Sequence, residues 1–119
     1  MWPARQSHLQ RQGQGWEEVA RDHLVRAGLV LVEANFSCKG GEIDLVMRDG
    51  PVLVFVEVRQ RAGRSHGGAA ASITPAKVRR IVRAAQFYLK RFPRVPPARI
   101  DVVAIDGEHL DWLRDAVQV

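Results

Sequence analysis

Hydrophobic and polar positions follow two periodicities along the chain, and together they predict an α/β fold. From Trp16 to Ala27 the apolar residues recur at the 3.6-residue spacing of a helix, and Gly28 is suited to end it. The next segments are rich in Val, Leu, Ile and Phe and predict three strands: LVLVEANF (29–36), GEIDLVM (41–47) and PVLVFVEVRQR (51–61). Asp49-Gly50 indicates a hairpin turn between the last two strands.

The second half of the chain continues with a helix and further strands. Thr74 followed by Pro75 is typical of a helix N-terminus, and the helix is predicted to continue to about Arg91. ARIDVVAID (98–106) predicts a fourth strand, and EHLDWLRDAV (108–117) is interpreted as a short fifth strand. The order αβββαβ, with this last strand added, predicts a mixed central β-sheet flanked by helices.

Composition and charge narrow the class of protein. The 119 residues, of which 46% are hydrophobic and 26% charged, are typical of a soluble globular protein. Residues 1–14 are predicted to form a flexible N-terminal segment, and residues 15–119 a single domain. The chain shows no apolar run of ~20 residues, no secretory signal and a single cysteine, Cys38. We therefore expect a cytoplasmic location without a membrane, and the net charge of +5 favours polyanionic partners.

Acidic residues interrupt the predicted strands at Asp44 and Glu57. Side-chain alternation places Glu42 and Asp44 on one face of the second strand, and Glu57 and Arg59 on one face of the third. The predicted hairpin turn pairs Asp44 with Phe55 and Glu42 with Glu57, so Asp44 and Glu57 become diagonal neighbours. Because buried carboxylates repel each other and are costly to desolvate, a divalent cation with oxygen ligands would resolve the conflict.

Two interpretations of these acids stay open at this point. Either they hold a cation such as Mg²⁺, or Arg59 and Arg61 neutralise them in a surface ion network. Glu17 is a further candidate, because the helical wheel places it at the rim of the apolar face of the first helix. The alternative for Glu17 is a favourable interaction with the dipole of that helix.

The second predicted helix is basic on the side opposite its apolar stripe. Its basic residues are Lys77, Arg79, Arg80, Arg83, Lys90 and Arg91, and no acidic residue lies between positions 75 and 91. A surface of one sign is suited to sequence-independent, salt-sensitive contacts with phosphates. The alternative is a basic helix without a ligand. Motifs for zinc binding, phosphate-binding loops and a serine nucleophile are absent, and Cys38 is interpreted as inert.

Four segments carry a family resemblance that extends from about Gly15 to Asp106: WEEVARDHL, GGEIDLVMRDGPVLVFVEVRQR, ITPAKVRRIVRAAQFYL and RIDVVAI. On these segments the chain resembles the bacterial YraN family of the restriction-endonuclease-like (PD-(D/E)xK) fold, which is similar to archaeal Holliday-junction resolvases. The resemblance implies that Asp44 and Glu57 are metal-binding acids and that Glu17 is the acid contributed by the first helix. It also implies that Glu42 lies near the site and that the strand residue Asp101 is structural.

Arg59 departs from the family pattern, because it occupies the position of the motif's lysine. Arginine does not lose its proton in proteins and so cannot act as a base, but it can hold a phosphate oxygen and stabilise developing charge. Lys77 or Gln60 could compensate for the missing lysine.

The resemblance therefore implies an endonuclease that uses Mg²⁺ or Mn²⁺ to hydrolyse DNA, including branched or junction DNA. Its catalytic residues would be Glu17, Asp44, Glu57 and Arg59, and the first three would bind the metal. The residues expected to bind the nucleic acid are Lys77, Arg79, Arg80, Arg83 and Arg61. Members of this class often act as dimers, so a homodimer is expected. One alternative is a non-catalytic nucleic-acid-binding module with the same fold. The other, a scaffold protein that binds no nucleic acid, leaves the basic helix unexplained.

Overall fold

The computed structural model describes residues 8–61 and 73–119, with side chains described for residues 15–60 and 73–119. Its elements are helix α1 (His8–Arg26), strands β1 (Val30–Cys38), β2 (Gly41–Asp49) and β3 (Val52–Arg61), helix α2 (Pro75–Leu89), and strands β4 (Ala98–Asp106) and β5 (His109–Val117). The strands form one sheet in the order β1-β2-β3-β4-β5, with β3 and β4 parallel and all other neighbours antiparallel. The predicted mixed sheet with two helices is confirmed.

The two helices cover opposite faces of the sheet, because each buries an apolar stripe against alternate residues of the strands. The α2 face is formed by Phe36, Ile43, Val46, Leu53, Phe55 and Ile100, packed against Ile81, Ala84, Ala85 and Tyr88. The α1 face is formed by Leu45, Met47, Val54, Val56, Val103 and Ile105, packed against Ala20, Leu24 and Leu29. Strand β3 is thus covered on both sides, which explains its continuous apolar run. In the described parts of the chain, neither helix is long and apolar enough to cross a membrane.

Helix α1 begins at His8, whereas apolar periodicity predicted a start at Trp16. The preceding segment HLQRQGQG (8–15) contains three Gln and one Arg, which have good helix propensity, but it has no apolar period. Positions 8–14 of the expected flexible segment therefore continue the helix, and positions 1–7 lie outside the described residues. The other end is as predicted: Gly28 has φ of 107°, and its amide donates to the Val25 carbonyl oxygen at 3.0 Å.

Helix α2 begins at the predicted cap and is held close to β2. The Lys77 amide donates to Thr74 Oγ1 at 3.1 Å, and Pro75 occupies the first turn. Gly41 lies against this helix so closely that a Cβ there would collide with the Arg80 carbonyl oxygen. The lack of a side chain at Gly41 therefore lets the basic helix approach the strand that carries Asp44.

The register of the β2–β3 hairpin differs from the prediction. Asp49 pairs with Val52 and Val46 with Phe55, so the turn consists of Gly50 and Pro51. Gly50 has φ of 59°, the sign that two-residue hairpin turns need at their first central position. The predicted pairings of Asp44 with Phe55 and of Glu42 with Glu57 were therefore wrong.

Candidate active site

Asp44 lies where strands β2 and β3 separate. The paired register of these strands ends at Leu45 and Val56, one position before Asp44 and Glu57. Beyond this point the Val58 amide donates to Asp44 Oδ2 at 2.8 Å, so a side chain satisfies a backbone group that the ladder no longer pairs. The bond fixes the Asp44 carboxyl beside β3, the strand that carries Glu57.

Asn35 on the neighbouring strand β1 lies opposite Asp44, since Ala34 pairs with Leu45 and Phe36 with Ile43. It has φ of 58°, a conformation that asparagine tolerates better than most residues. Side chains of β2 do not alternate regularly at this point: Ile43 and Leu45 are two positions apart, yet Ile43 packs on the α2 face and Leu45 on the α1 face. The amide nitrogen of Asn35, in the orientation that satisfies both groups, donates to Oε1 and Oε2 of Glu17 at 3.2 Å each. Sequence reasoning missed Asn35, although an asparagine inside an apolar strand was an available signal.

Glu57 is the most buried acid of the site, with 2% of its surface exposed. Its Oε2 lies 3.4 Å from Arg59 Nη1 and 3.6 Å from Lys77 Nζ. Its Oε1 is buried and accepts no hydrogen bond from the described residues. The Asp44 and Glu57 side chains are close enough to share a hydrogen bond, which requires that one of the two carboxyls be protonated.

Burial controls the protonation of these two carboxyls. It raises the pKa of Glu57 to about 7, and the charge of Asp44 adds to the rise, while Lys77 and Arg59 partly oppose it. Burial also raises the pKa of Asp44, against the hydrogen bond from Val58. Without a cation, the site therefore disfavours two simultaneous negative charges.

Glu17 approaches the pair from helix α1. Burial raises the pKa of its carboxyl, and the charge of Asp44 raises it further, whereas the bond from Asn35 lowers it. Within the described ranges, no three Asp, Glu, His or Cys side chains are arranged closely enough to hold a metal ion together. The structure thus brings Asp44 and Glu57 into contact and leaves Glu17 as a nearby third acid.

Glu42 lies at the margin of this site rather than opposite Glu57. Its carboxylate is exposed and pairs with Arg80 Nη2 of helix α2 at 3.1 Å. It also lines an open pocket of about 220 Å³, together with Asp44 and with Asn35 and Phe36 of β1. The pocket gives solvent and solutes access to the Asp44 side of the site.

The remaining predicted residues occupy separate positions. Lys77 contacts Glu57, whereas Arg79 and Arg83 are exposed on α2. Gln60 follows Arg59 on β3, so alternation directs it to the face opposite Glu57. The side chain of Arg61 lies outside the described ones.

The donor set fits a hard divalent cation better than a soft one. Asp44 and Glu57 offer only oxygen atoms, and Glu57 Oε1 is a buried acceptor for which residues 8–61 and 73–119 supply no donor. Mg²⁺ commonly uses one or two protein carboxylates and completes its shell with water and substrate phosphate. A contacting pair of carboxyls beside an open pocket suits that mode of binding.

Comparison with known sequences confirms the family resemblance. The sequence model of "Uncharacterised protein family UPF0102", the YraN family, matches residues 16–105. A UPF0102 protein of Herminiimonas arsenicoxydans is 54% identical over 106 residues, which cover 89% of this chain and 86% of that protein. One of Cupriavidus taiwanensis is 59% identical over 116 residues, covering 96% and 85%. One of Methylibium petroleiphilum is 59% identical over 111 residues, covering 87% and 91%.

Proposed function

Since the chain belongs to the UPF0102 family, whose name gives no activity, we propose its function from the site: a metal-dependent endonuclease that hydrolyses phosphodiester bonds in DNA. The observation that carries the proposal is the contact between the Asp44 and Glu57 carboxyls, with one oxygen of Glu57 buried and, in the described parts of the chain, without a donor. Stability alone gives no reason to bury two acids together, because an apolar pair of similar volume would cost less. A divalent cation gives such a reason.

The proposed fold is the restriction-endonuclease-like core, with similarity to junction resolvases. The acids lie on neighbouring strands of a mixed sheet where these separate, and Glu17 comes from the first helix. This arrangement supports the proposal together with the sequence motif GEIDLV…VFVEVR. Junction DNA is accordingly among the substrates to be tried first.

Each side chain has a role in the proposed reaction. Asp44 and Glu57 would hold the cation, which when bound polarises the phosphate and lowers the pKa of water. Glu17, restrained by Asn35, would bind through water on the α1 side. Arg59 would hold a phosphate oxygen and stabilise the charge that develops on it. Exposed Arg79 and its neighbours on α2 would contact the DNA backbone without reading its sequence.

The test is cleavage of labelled four-way junction, single-stranded and duplex DNA in Mg²⁺ or Mn²⁺ and in EDTA. We expect wild type to cut at least one substrate only with metal, and Asp44→Asn to cut at least about 100-fold more slowly, since it loses a charged ligand. The asparagine keeps an oxygen that can accept from the Val58 amide, so the fold should be retained. Thermal stabilisation by Mg²⁺ in wild type, lost in Asp44→Asn, would report the metal independently of turnover.

A second candidate function is a nucleic-acid-binding module without catalysis. Arg59 favours it, because arginine cannot exchange a proton where the family motif has lysine. Salt-sensitive DNA binding with no cutting by wild type, and no stabilisation by Mg²⁺, would establish this module and reject the endonuclease.

Lys77 is the group that can take over from the motif lysine. Its Nζ lies 3.6 Å from Glu57 Oε2, and a lysine can release a proton where arginine cannot. We expect Lys77→Met to lower kcat by about 100-fold, the scale of general acid–base catalysis, with a smaller change in KM. Arg79→Met removes an exposed charge from the same helix and should affect KM and salt dependence only. Equal kinetics in both variants would show that Lys77, like Arg79, only contacts the phosphate backbone of the DNA.

A further inference from the structure

Phe87 is an exposed aromatic ring on the basic helix α2. Half of its surface is exposed, at 50%, although the neighbouring Tyr88 is almost completely buried. The ring lies 6.4 Å from that of Phe36, and Lys90 Nζ lies 5.9 Å from its centroid. One further basic residue, Arg83, precedes it by one helical turn. These three exposed residues, Arg83, Phe87 and Lys90, form what we call the Phe87 surface.

The Phe87 surface is continuous with the pocket of the candidate site. Phe36, which contacts the Phe87 ring, also lines the pocket together with Asp44. Arg80, one helical turn before Arg83 on the same side of α2, pairs with Glu42 at the pocket's margin. A strand bound at the pocket can therefore continue along this side of the helix to the aromatic ring.

The charge and the ring together select the kind of partner. The helix has no acidic residue, so its surface is complementary to a polyanion. A flat aromatic ring stacks on bases only where they are not already stacked and paired inside a duplex. From Lys77 to Phe87 the helix rises about 15 Å, so a strand that reaches both residues spans a few nucleotides.

We infer that the Phe87 surface binds a single-stranded stretch of DNA, with Phe87 stacking on an unpaired base a few nucleotides from the carboxylate pair. The inference rests on the proposed function and narrows its substrates to DNA with unpaired bases, such as single strands, flaps and open junctions. Arg83 and Lys90 contact the phosphates on either side of the stacked base. Uninterrupted duplex is held by the phosphate contacts alone.

The test measures binding in EDTA, where no metal-dependent cleavage occurs. Fluorescence anisotropy compares wild type, Phe87→Ala, Phe87→Tyr and Arg83→Ala on labelled oligothymidylate and on a hairpin duplex. We expect Phe87→Ala to weaken binding of the single strand about tenfold or more and of the duplex less than about twofold. Phe87→Tyr should bind like wild type, and Arg83→Ala should weaken binding of both substrates. Gln86→Ala, an exposed change beside the ring, should alter neither.

Several results would overturn the inference. One is an equal loss, or no loss, of single-strand and duplex affinity in Phe87→Ala. Another is a change of sedimentation from dimer to monomer in Phe87→Ala, which would assign the ring to contact with a second copy of the chain. Because cleavage is scored separately in Mg²⁺, a wild type that binds single strands through Phe87 but cuts nothing rejects the endonuclease and keeps this inference.

Discussion

Replacing Glu57 by glutamine is expected to stabilise the metal-free protein above pH 7 by about 3 kcal/mol. The pKa of this carboxyl is raised from 4.5 to about 7 on folding, mainly by burial. Below pH 4.5 this carboxyl is protonated in both the folded and the unfolded protein, and its contribution to the free energy of unfolding is fully present. The contribution is lost as the pH rises through about 7. The difference in pKa corresponds to about 3 kcal/mol, which is the cost of holding the charged form in the folded protein. Glutamine has no charge, and its amide can donate to Asp44.

Urea denaturation of wild type and Glu57→Gln in EDTA, near pH 4.5 and above pH 7, measures this effect. The variant should equal wild type at the lower pH and exceed it at the higher one. Glu42→Gln is the matched control, because the Glu42 carboxylate is exposed and its ion pair with Arg80 contributes little. A Glu57→Gln variant that is less stable above pH 7 would favour the alternative of an ion network, with Lys77 in addition to Arg59, that stabilises the charged acid.

The Glu57→Gln variant is expected to lose activity although it gains stability above pH 7. Glu57→Gln removes a charged ligand from the proposed metal site, so Mg²⁺ should stabilise wild type above pH 7 and leave the variant unaffected. Cleavage should fall by about 1,000-fold, since polarisation of the phosphate by a cation is worth several kcal/mol. A variant that is more stable and inactive would show that the buried acid is kept for the reaction at the expense of stability.

Local signals in the sequence predicted most of the fold. Thr74 and Pro75 marked the start of α2, Gly28 marked the end of α1, and segment 98–106 was identified as β4. Each of these signals depends on a few neighbouring residues, so the rest of the chain does not alter it. The start of α1 was missed because a polar helix without an apolar period gives no such signal.

The site was predicted in part because alternation along strands is robust to small errors. The hairpin register was wrong by two positions, and an even shift preserves the face of each side chain in the paired part of the hairpin, although alternation along β2 breaks between Ile43 and Leu45. Asp44 and Glu57 were therefore placed together for a partly wrong reason, whereas Glu42 was placed incorrectly. The contacts of Asn35 with Glu17 and of Lys77 with Glu57 join distant segments, which periodicity within one element does not reveal.

Asp101 is a buried acid of a different kind, and its removal is expected to cost about 3–5 kcal/mol of unfolding free energy. It is fully buried, yet both of its carboxylate oxygens have donors. Oδ1 accepts from Arg99 Nε at 3.0 Å and from the Asp115 amide at 2.9 Å, and Oδ2 accepts from Trp112 Nε1 at 2.9 Å. In Glu57, by contrast, one buried oxygen accepts from no donor among the described residues. This difference explains why one acid is assigned to structure and the other to chemistry.

The bonds of Asp101 hold edge strand β5 to β4 where their register shifts. Pairing changes between Ile100 and Val102, and Asp115 on β5 has φ of 53°. Asp101→Ala would remove the acceptor of the partly buried Asp115 amide and Trp112 indole N–H, and would leave the guanidinium of Arg99 without this carboxylate. Hydrogen exchange should therefore increase along β5 first.

Urea denaturation of Asp101→Ala and Asp111→Ala compares the unfolding free energy lost with the Asp101 hydrogen bonds with that lost at an ordinary surface acid. Asp111 lies on β5, but its carboxylate is 55% exposed and pairs with His109, so its loss should cost less than about 0.5 kcal/mol. Well below its unfolding temperature, Asp101→Ala should retain wild-type metal binding and cleavage, because Asp101 contacts neither carboxyl of the pair. A stable Asp101→Ala protein without activity would instead place Asp101 in the reaction, and the contrast between satisfied and unsatisfied buried oxygens would no longer identify the site.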